Sequence, residues 1–151
     1  MLQGPLFAVT LAIRKETDAT MTKACDLEGS GKAYAMLGAF ERSAREYAKA
    51  AKCYWKLKMY DSAVCNVIRA CESLQNTGFM MDEARDGHRV VSIMLLRETT
   101  QPQLAASLMG HLVAKDQDLY SMGMLTKSDV QSDMDLYRYV VAESRRLSEE
   151  S

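Results

Sequence analysis

Between Phe40 and Leu57 the residues Phe40, Ser43, Tyr47, Ala50, Ala51, Tyr54 and Leu57 recur at intervals of three and four. That spacing lines one face of an α-helix and no face of a strand. Aromatic rings share the face with serine and alanine, so a neighbouring helix can come close and the rings can fill what remains. A single helix with such a face has nowhere to bury it, and the chain must supply more helices.

Gly38 bounds this helix at its start and the polar break at Lys58 at its end. A second helix opens near Tyr60 with Ala63, Val64, Val67, Ala70, Cys71 and Leu74 on its buried side, and Asn76-Thr77-Gly78 is expected to close it through the left-handed conformation that Asn and Gly tolerate. A third is expected from Met80 to Leu96. A fourth opens at Gln101-Pro102, proline being harmless in a first turn, with Ala105, Leu108, Met109, Leu112 and Val113 as its stripe. Residues 115–127, with Gly123 among them, read as a loop. Ser128 and Gln131 form a capping-box pattern, which starts the last helix near Asp129, with Val130, Met134, Tyr137 and Val141 as its apolar side.

At the other end, Phe7, Val9, Leu11 and Ile13 alternate as in a strand, while Leu6, Val9 and Ile13 also fit a helix. Helix is the better reading, because a lone strand among helices would leave its backbone groups without partners. Another helix is expected from Asp18 to Leu37, weakened by Gly29 and Gly31. The domain plan is then an apolar segment 1–17, a helical-hairpin domain 18–114, a loop 115–127 and a C-terminal helix 128–148. With only two prolines and eight glycines in 151 residues, composition agrees with an all-α fold.

Leu37-Gly38-Ala39-Phe40 recurs as Leu57-Lys58-Met59-Tyr60, twenty residues on. Around it Tyr47, Ala51, Tyr54, Tyr60, Ala63 and Ala70 stand where the tetratricopeptide repeat has its aromatic and small anchors, and Gly31, Tyr34, Gly38, Phe40, Ser43 and Ala50 fit a second, overlapping register. Residues 24–75 therefore resemble tetratricopeptide repeats, and more closely the attachment proteins of vesicle fusion. The resemblance implies antiparallel helical hairpins stacked as a short α-solenoid. It also implies a non-catalytic scaffold or adaptor in a larger assembly, or a membrane-trafficking adaptor that receives acidic coiled coils or lipid.

Candidate chemistry is sparse. Gly29-Ser30-Gly31-Lys32 contains the GK pair of a phosphate loop, but Asp26 falls where the opening glycine belongs and Ala33 replaces the hydroxyl that would bind magnesium. Cys65 and Cys71 fall on or beside an expected buried face, where thiols are inert. Two histidines, His88 and His111, and four scattered cysteines offer no ligand spacing for a metal. Asp82, Glu83 and Asp86 suit the first turn of a helix. No catalytic, cofactor or metal site is expected. An enzyme whose helical site carries no recognisable motif is the competing class.

Binding is the stronger expectation. Arg42, Arg45, Lys49, Lys52 and Lys56 follow one another at three, four, three and four along the side away from Tyr47 and Ala50, and residues 32–58 hold seven basic against two acidic residues. Such a stripe suits an acidic peptide first and anionic lipid second. The whole chain has a net charge of −1, which gives nucleic acid no general attraction. Tyr120, Met122 and Met124 form a second candidate, since flexible thioethers suit adaptable contacts. The apolar run 6–13 is far short of the ~20 residues that cross a bilayer. The absence of a signal-like start and of paired cysteine motifs points to the cytoplasm.

Overall fold

The computed structural model describes residues 5–77 and 81–150, apart from the side chains of residues 5, 7, 10, 11 and 13–15. Every regular element among them is an α-helix: α1 (Pro5–Met36), α2 (Phe40–Lys56), α3 (Tyr60–Gln75), α4 (Met81–Glu98), α5 (Gln103–Ser121) and α6 (Lys127–Glu150). The helices form two compact units, Met1–Thr77 and Gly78–Ser151. The domain expected at 18–114 thus spans parts of both. Met80 and Gly78, assigned above to a helix start and a helix stop, lie outside the described residues.

In the first unit α2 lies between α1 and α3. Its turns explain the twenty-residue recurrence. After α1, the amide of Ala39 donates to the Tyr34 carbonyl at 2.9 Å and that of Gly38 to Ala35 at 3.1 Å. After α2, Met59 donates to Tyr54 at 2.9 Å and Lys58 to Trp55 at 3.0 Å. These are two Schellman closures, each needing one left-handed residue. Gly38 has φ +77°, and Lys58 adopts 58° although it carries a Cβ. What repeats is therefore the helix-stopping device. α3 ends differently, since Asn76 stays right-handed at φ −69° and the Thr77 hydroxyl donates to the Leu74 carbonyl at 2.6 Å. Of the stop expected over Asn76-Thr77-Gly78, Asn76 does not supply the left-handed residue, and Gly78 lies outside the described residues.

Small residues make the core. Ala24, Ala50, Cys53, Tyr54 and Ala63 form one cluster, flanked by Leu27, Trp55 and Met59, while Ala44, Tyr47 and Ala70 form another with Leu74. At Gly31 an added Cβ would stand 2.9 Å from the Tyr47 ring, so only glycine fits this crossing. The glycine that looked like part of a phosphate loop is a packing site within α1. One turn into α2, the buried Ser43 hydroxyl donates to the Gly31 carbonyl at 2.7 Å and lies 3.0 Å from that of Ser73, tying three helices together. The break between segments 1–17 and 18–37 is absent, because no proline or cap interrupts the chain there and α1 runs through for 32 residues. Among the described side chains of α1 the first buried one is Ala24.

In the second unit, α4, α5 and α6 pack around Leu95, Leu108, Met109, Leu112 and Val140, all fully buried. Helix α5 runs to Ser121, so residues 115–121 are helical and the expected loop shrinks to 122–126. The pattern Leu112-Asp116-Leu119 continues the buried stripe, and the carboxylate in its middle hides the continuity from a reading of apolar spacing. The turn is a third Schellman closure, with Met124 donating to the Leu119 carbonyl at 2.9 Å and Gly123 at φ +75°. The cap of α6 is Thr126 and not Ser128. Its hydroxyl accepts from the Asp129 amide at 3.1 Å, and the Asp129 carboxylate accepts from the Thr126 amide at 3.2 Å. The capping box is real but sits two residues earlier. On α6, Asp133, Val140 and Ser144 are buried, and the expected Val130, Met134, Tyr137 and Val141 flank them half-buried.

Candidate interaction surfaces

Arg42, Arg45, Lys49, Lys52 and Lys56 all lie exposed on α2, on the side that neither α1 nor α3 covers. The sequence places them there because steps of three and four residues alternately fall short of and overshoot one 3.6-residue turn, keeping them on one side opposite the buried Ser43, Tyr47, Ala50 and Tyr54. Arg45 pairs with Glu41 at 2.7 Å and Lys49 stands 3.9 Å from Glu46, both within the helix and both exposed to solvent on the basic side. Such pairs contribute a few tenths of a kcal/mol, about 0.3–0.5. Arg42 sits over the Tyr34 ring of α1 at 5.9 Å. Lys52 and Lys56 make no ion pair among the described residues. The stripe therefore keeps a net positive charge that its own acids only partly offset.

Tyr120, Met122 and Met124 are exposed by 48%, 64% and 46% at the turn between α5 and α6. The turn itself is anchored by Leu119 and Leu125, both buried, so its backbone is fixed while the three side chains face solvent. Stripe and turn belong to different units, α2 to the first and the α5–α6 turn to the second.

The sequence reading missed a buried polar centre in the second unit. Arg85 is only 5% exposed, and its guanidinium donates to Asp116 at 3.0 Å and to Asp133 at 2.8 Å. Arg89 adds bonds to both oxygens of Asp133 at 2.7 and 3.0 Å. Two cations and two carboxylates thus join α4, α5 and α6. Burial pushes the Asp116 carboxyl up to about 7, helped by the neighbouring Asp133 and opposed by Arg85. Burial acts on Asp133 in the same direction, but hydrogen bonds from Arg89 and the positive guanidinium groups around it outweigh it and hold that carboxyl below the usual range. Beside this centre His88 and His111 stack with ring centroids 5.5 Å apart, and Nε2 of His88 lies 3.3 Å from Nδ1 of His111. The signal available in the sequence was the interruption of apolar stripes by Arg85, Asp116 and Asp133, which acquires meaning only once three helices are seen to meet there.

Cys65 is exposed, contrary to the burial expected for it, because it points away from Val64 and Asn66 on α3, whereas Cys71 is buried as expected. Cys25 is exposed too, and no disulfide joins any of the four cysteines. Among the described residues no group of three or more histidine, cysteine or acidic side chains could hold a metal ion. No helix among them is long and apolar enough to cross a membrane. Asp82 and Asp86 do more than complement a dipole: they sit 3.8 Å from Arg85 and 2.5 Å from Arg89 at the rim of the polar centre. Neither a family model nor a curated protein nor a solved structure matches the chain.

Proposed function

We propose that this chain is a non-catalytic scaffold or adaptor that holds an acidic protein segment on the exposed basic face of α2. One observation carries the reading. Five cations share a single helix face that packing within the unit leaves open, while the opposite face of the same helix packs against its neighbours. Charge placed where it adds only a few tenths of a kcal/mol to stability is available for steering and registering a partner. The kinship of the first unit with tetratricopeptide hairpins and vesicle-fusion attachment proteins belongs to the same proposal. It is supported by the two matching closures twenty residues apart and by the Gly31–Tyr47 crossing. We place the protein in the cytoplasm on the same footing, where its four cysteines stay reduced.

The test is binding of a glutamate-rich amphipathic peptide, followed by fluorescence anisotropy, with phosphatidylserine vesicles in parallel. Arg45→Glu with Lys49→Glu and Lys52→Glu is expected to abolish peptide binding. Each site ought to change stability by no more than about 0.5 kcal/mol. Wild-type affinity is expected to fall steeply towards physiological salt, where the screening length is about 8 Å. Peptide binding indifferent to both changes would sink the reading, and vesicle binding without peptide binding would replace the acidic segment with anionic lipid.

A further inference from the structure

The polar centre fixes which helix ends meet in the second unit. Because Arg85 near the start of α4 reaches Asp116 near the end of α5 and Asp133 near the start of α6, those three helix ends lie together. Asp82, Glu83 and Asp86 are exposed there on α4, and Asp118 is exposed in the last turn of α5. Asp82 and Glu83 suit the first turn of α4, and Asp86 follows one turn on. Asp118 does not suit its place, for a carboxylate at a C-terminus opposes the dipole, and no lysine or arginine stands in that turn to offset it. Arg85 and Arg89 are shared between Asp116 and Asp133 inside and Asp82 and Asp86 at the rim, and with Lys127 and the half-buried Lys115 they make four cations against the six carboxylates named here. From the same end project Tyr120, Met122 and Met124. An adaptable apolar tip thus sits in a negatively charged surround, and that charge states what kind of surface can cover it.

The chain carries such a surface itself. Beside the basic stripe, Met36 and Leu37 at the end of α1 are 79% and 80% exposed, and Tyr34, one turn before Leu37, is the ring under Arg42. The turn does not demand this exposure. In the equivalent closure after α2, Leu57 is half-buried. Basic row and apolar corner are continuous, and they complement the acidic, methionine-bearing end in both respects.

We propose that the acidic end of the second unit receives the basic face of α2 from a second copy of the chain, so that copies associate head to tail. This rests on the reading of the stripe as a docking face and names its occupant. The contact is heterologous, joining different patches, so association does not stop at a closed pair unless the geometry happens to close a ring.

Sedimentation equilibrium over a range of concentrations tests it. The weight-average mass is expected to rise with concentration at low salt and to fall back towards the monomer as salt is added, with the apparent dissociation constant rising on the order of tenfold or more. Two charge reversals then separate the faces. Lys49→Glu with Lys52→Glu spoils the basic face, Asp82→Lys with Asp86→Lys spoils the acidic end, and each is expected to be monomeric alone. Mixed, they retain one good face each and should form a one-to-one pair that grows no further. A mixture that stays monomeric would overturn the proposal, as would a wild type that is monomeric at every concentration and salt. A salt-sensitive change of hydrodynamic radius without a change of mass would overturn it too, by placing the contact within one chain. Should the acidic-end variant lose its helical circular dichroism, Met122→Ser with Met124→Ser serves instead and should weaken association while leaving its salt dependence unchanged. Monomeric wild type together with glutamate-rich peptide bound at the stripe would leave the scaffold reading standing while this proposal falls.

Discussion

The two units hold their helices together by opposite means. The first brings helices close over glycine, alanine and serine and fills the gaps with tyrosine, with Gly31 under Tyr47 as the tightest point. The second surrounds a leucine and methionine core with a buried set of two arginines and two aspartates. Close packing of small residues needs a particular spacing along each helix and tolerates most polar changes outside it. A buried ion set needs only a few residues, but each depends on all the others, because a charge left alone in the interior is far costlier than the pair was worth.

The largest effect should therefore come from the second unit. Asp133→Ala would leave both Arg85 and Arg89 without their shared acceptor, at a cost of about 3–5 kcal/mol. Hydrogen exchange resolved by residue should show α4–α6 losing protection while α1–α3 keep theirs. Equal loss in both units would break the comparison, since the units would then share one cooperative transition. In the first unit Gly31→Leu should cost about 1–3 kcal/mol by overpacking against Tyr47. Here the expected loss of protection is confined to α1–α3.

A separate effect, confined to the second unit, concerns acid. Asp116 titrates near 7 in the folded unit against about 3.9 when unfolded, so the folded form binds more protons between those values. This group alone makes the second unit less stable as pH rises from about 4 to about 7. Asp133 works the other way. Its lowered value contributes stability above the unfolded carboxylate range that is lost as pH falls through the folded value, below about 4. Denaturant midpoints taken along this range should fall towards neutral pH in the wild type, and Asp116→Asn, which cannot ionise, should flatten the slope. An unaltered slope in that variant would remove Asp116 as its source.

The contrast also explains what could be read from the residues alone. Repeated spacing announced α2 and α3 because apolar and small residues mark their own buried face. Ser43, Asn66 and Ser73 are buried among them without marking anything, since their burial depends on partners in other helices. Asp116 did more harm to the reading, turning seven residues of α5 into an expected loop. In a buried position a charged residue looks like a surface residue until its counter-charge is found, and the counter-charge here is 31 residues away in sequence. The basic stripe was legible for the converse reason. Exposure needs no partner, so helical spacing alone placed all five cations.

The smallest effect is the sharpest test of what the repeat consists of. Gly38 and Lys58 occupy equivalent positions in two closures with the same hydrogen bonds, at φ +77° and 58°. Left-handed backbone costs a residue with a Cβ roughly 1–2 kcal/mol, and glycine nothing. Lys58→Gly should accordingly raise stability, by about 1 kcal/mol or somewhat less because glycine also loosens the unfolded chain. Gly38→Ala should lower it by a similar amount, although nothing lies within 4 Å of the added methyl group and no contact is lost. Chemical denaturation of both variants, with unchanged denaturant slopes, measures the two shifts. Shifts of opposite sign and like size would show that the recurrence encodes one turn conformation, met by the ideal residue once and by a strained one the second time. If instead Lys58→Gly destabilises, the lysine side chain holds something that glycine cannot, and the second turn belongs with the basic surface as much as with the fold.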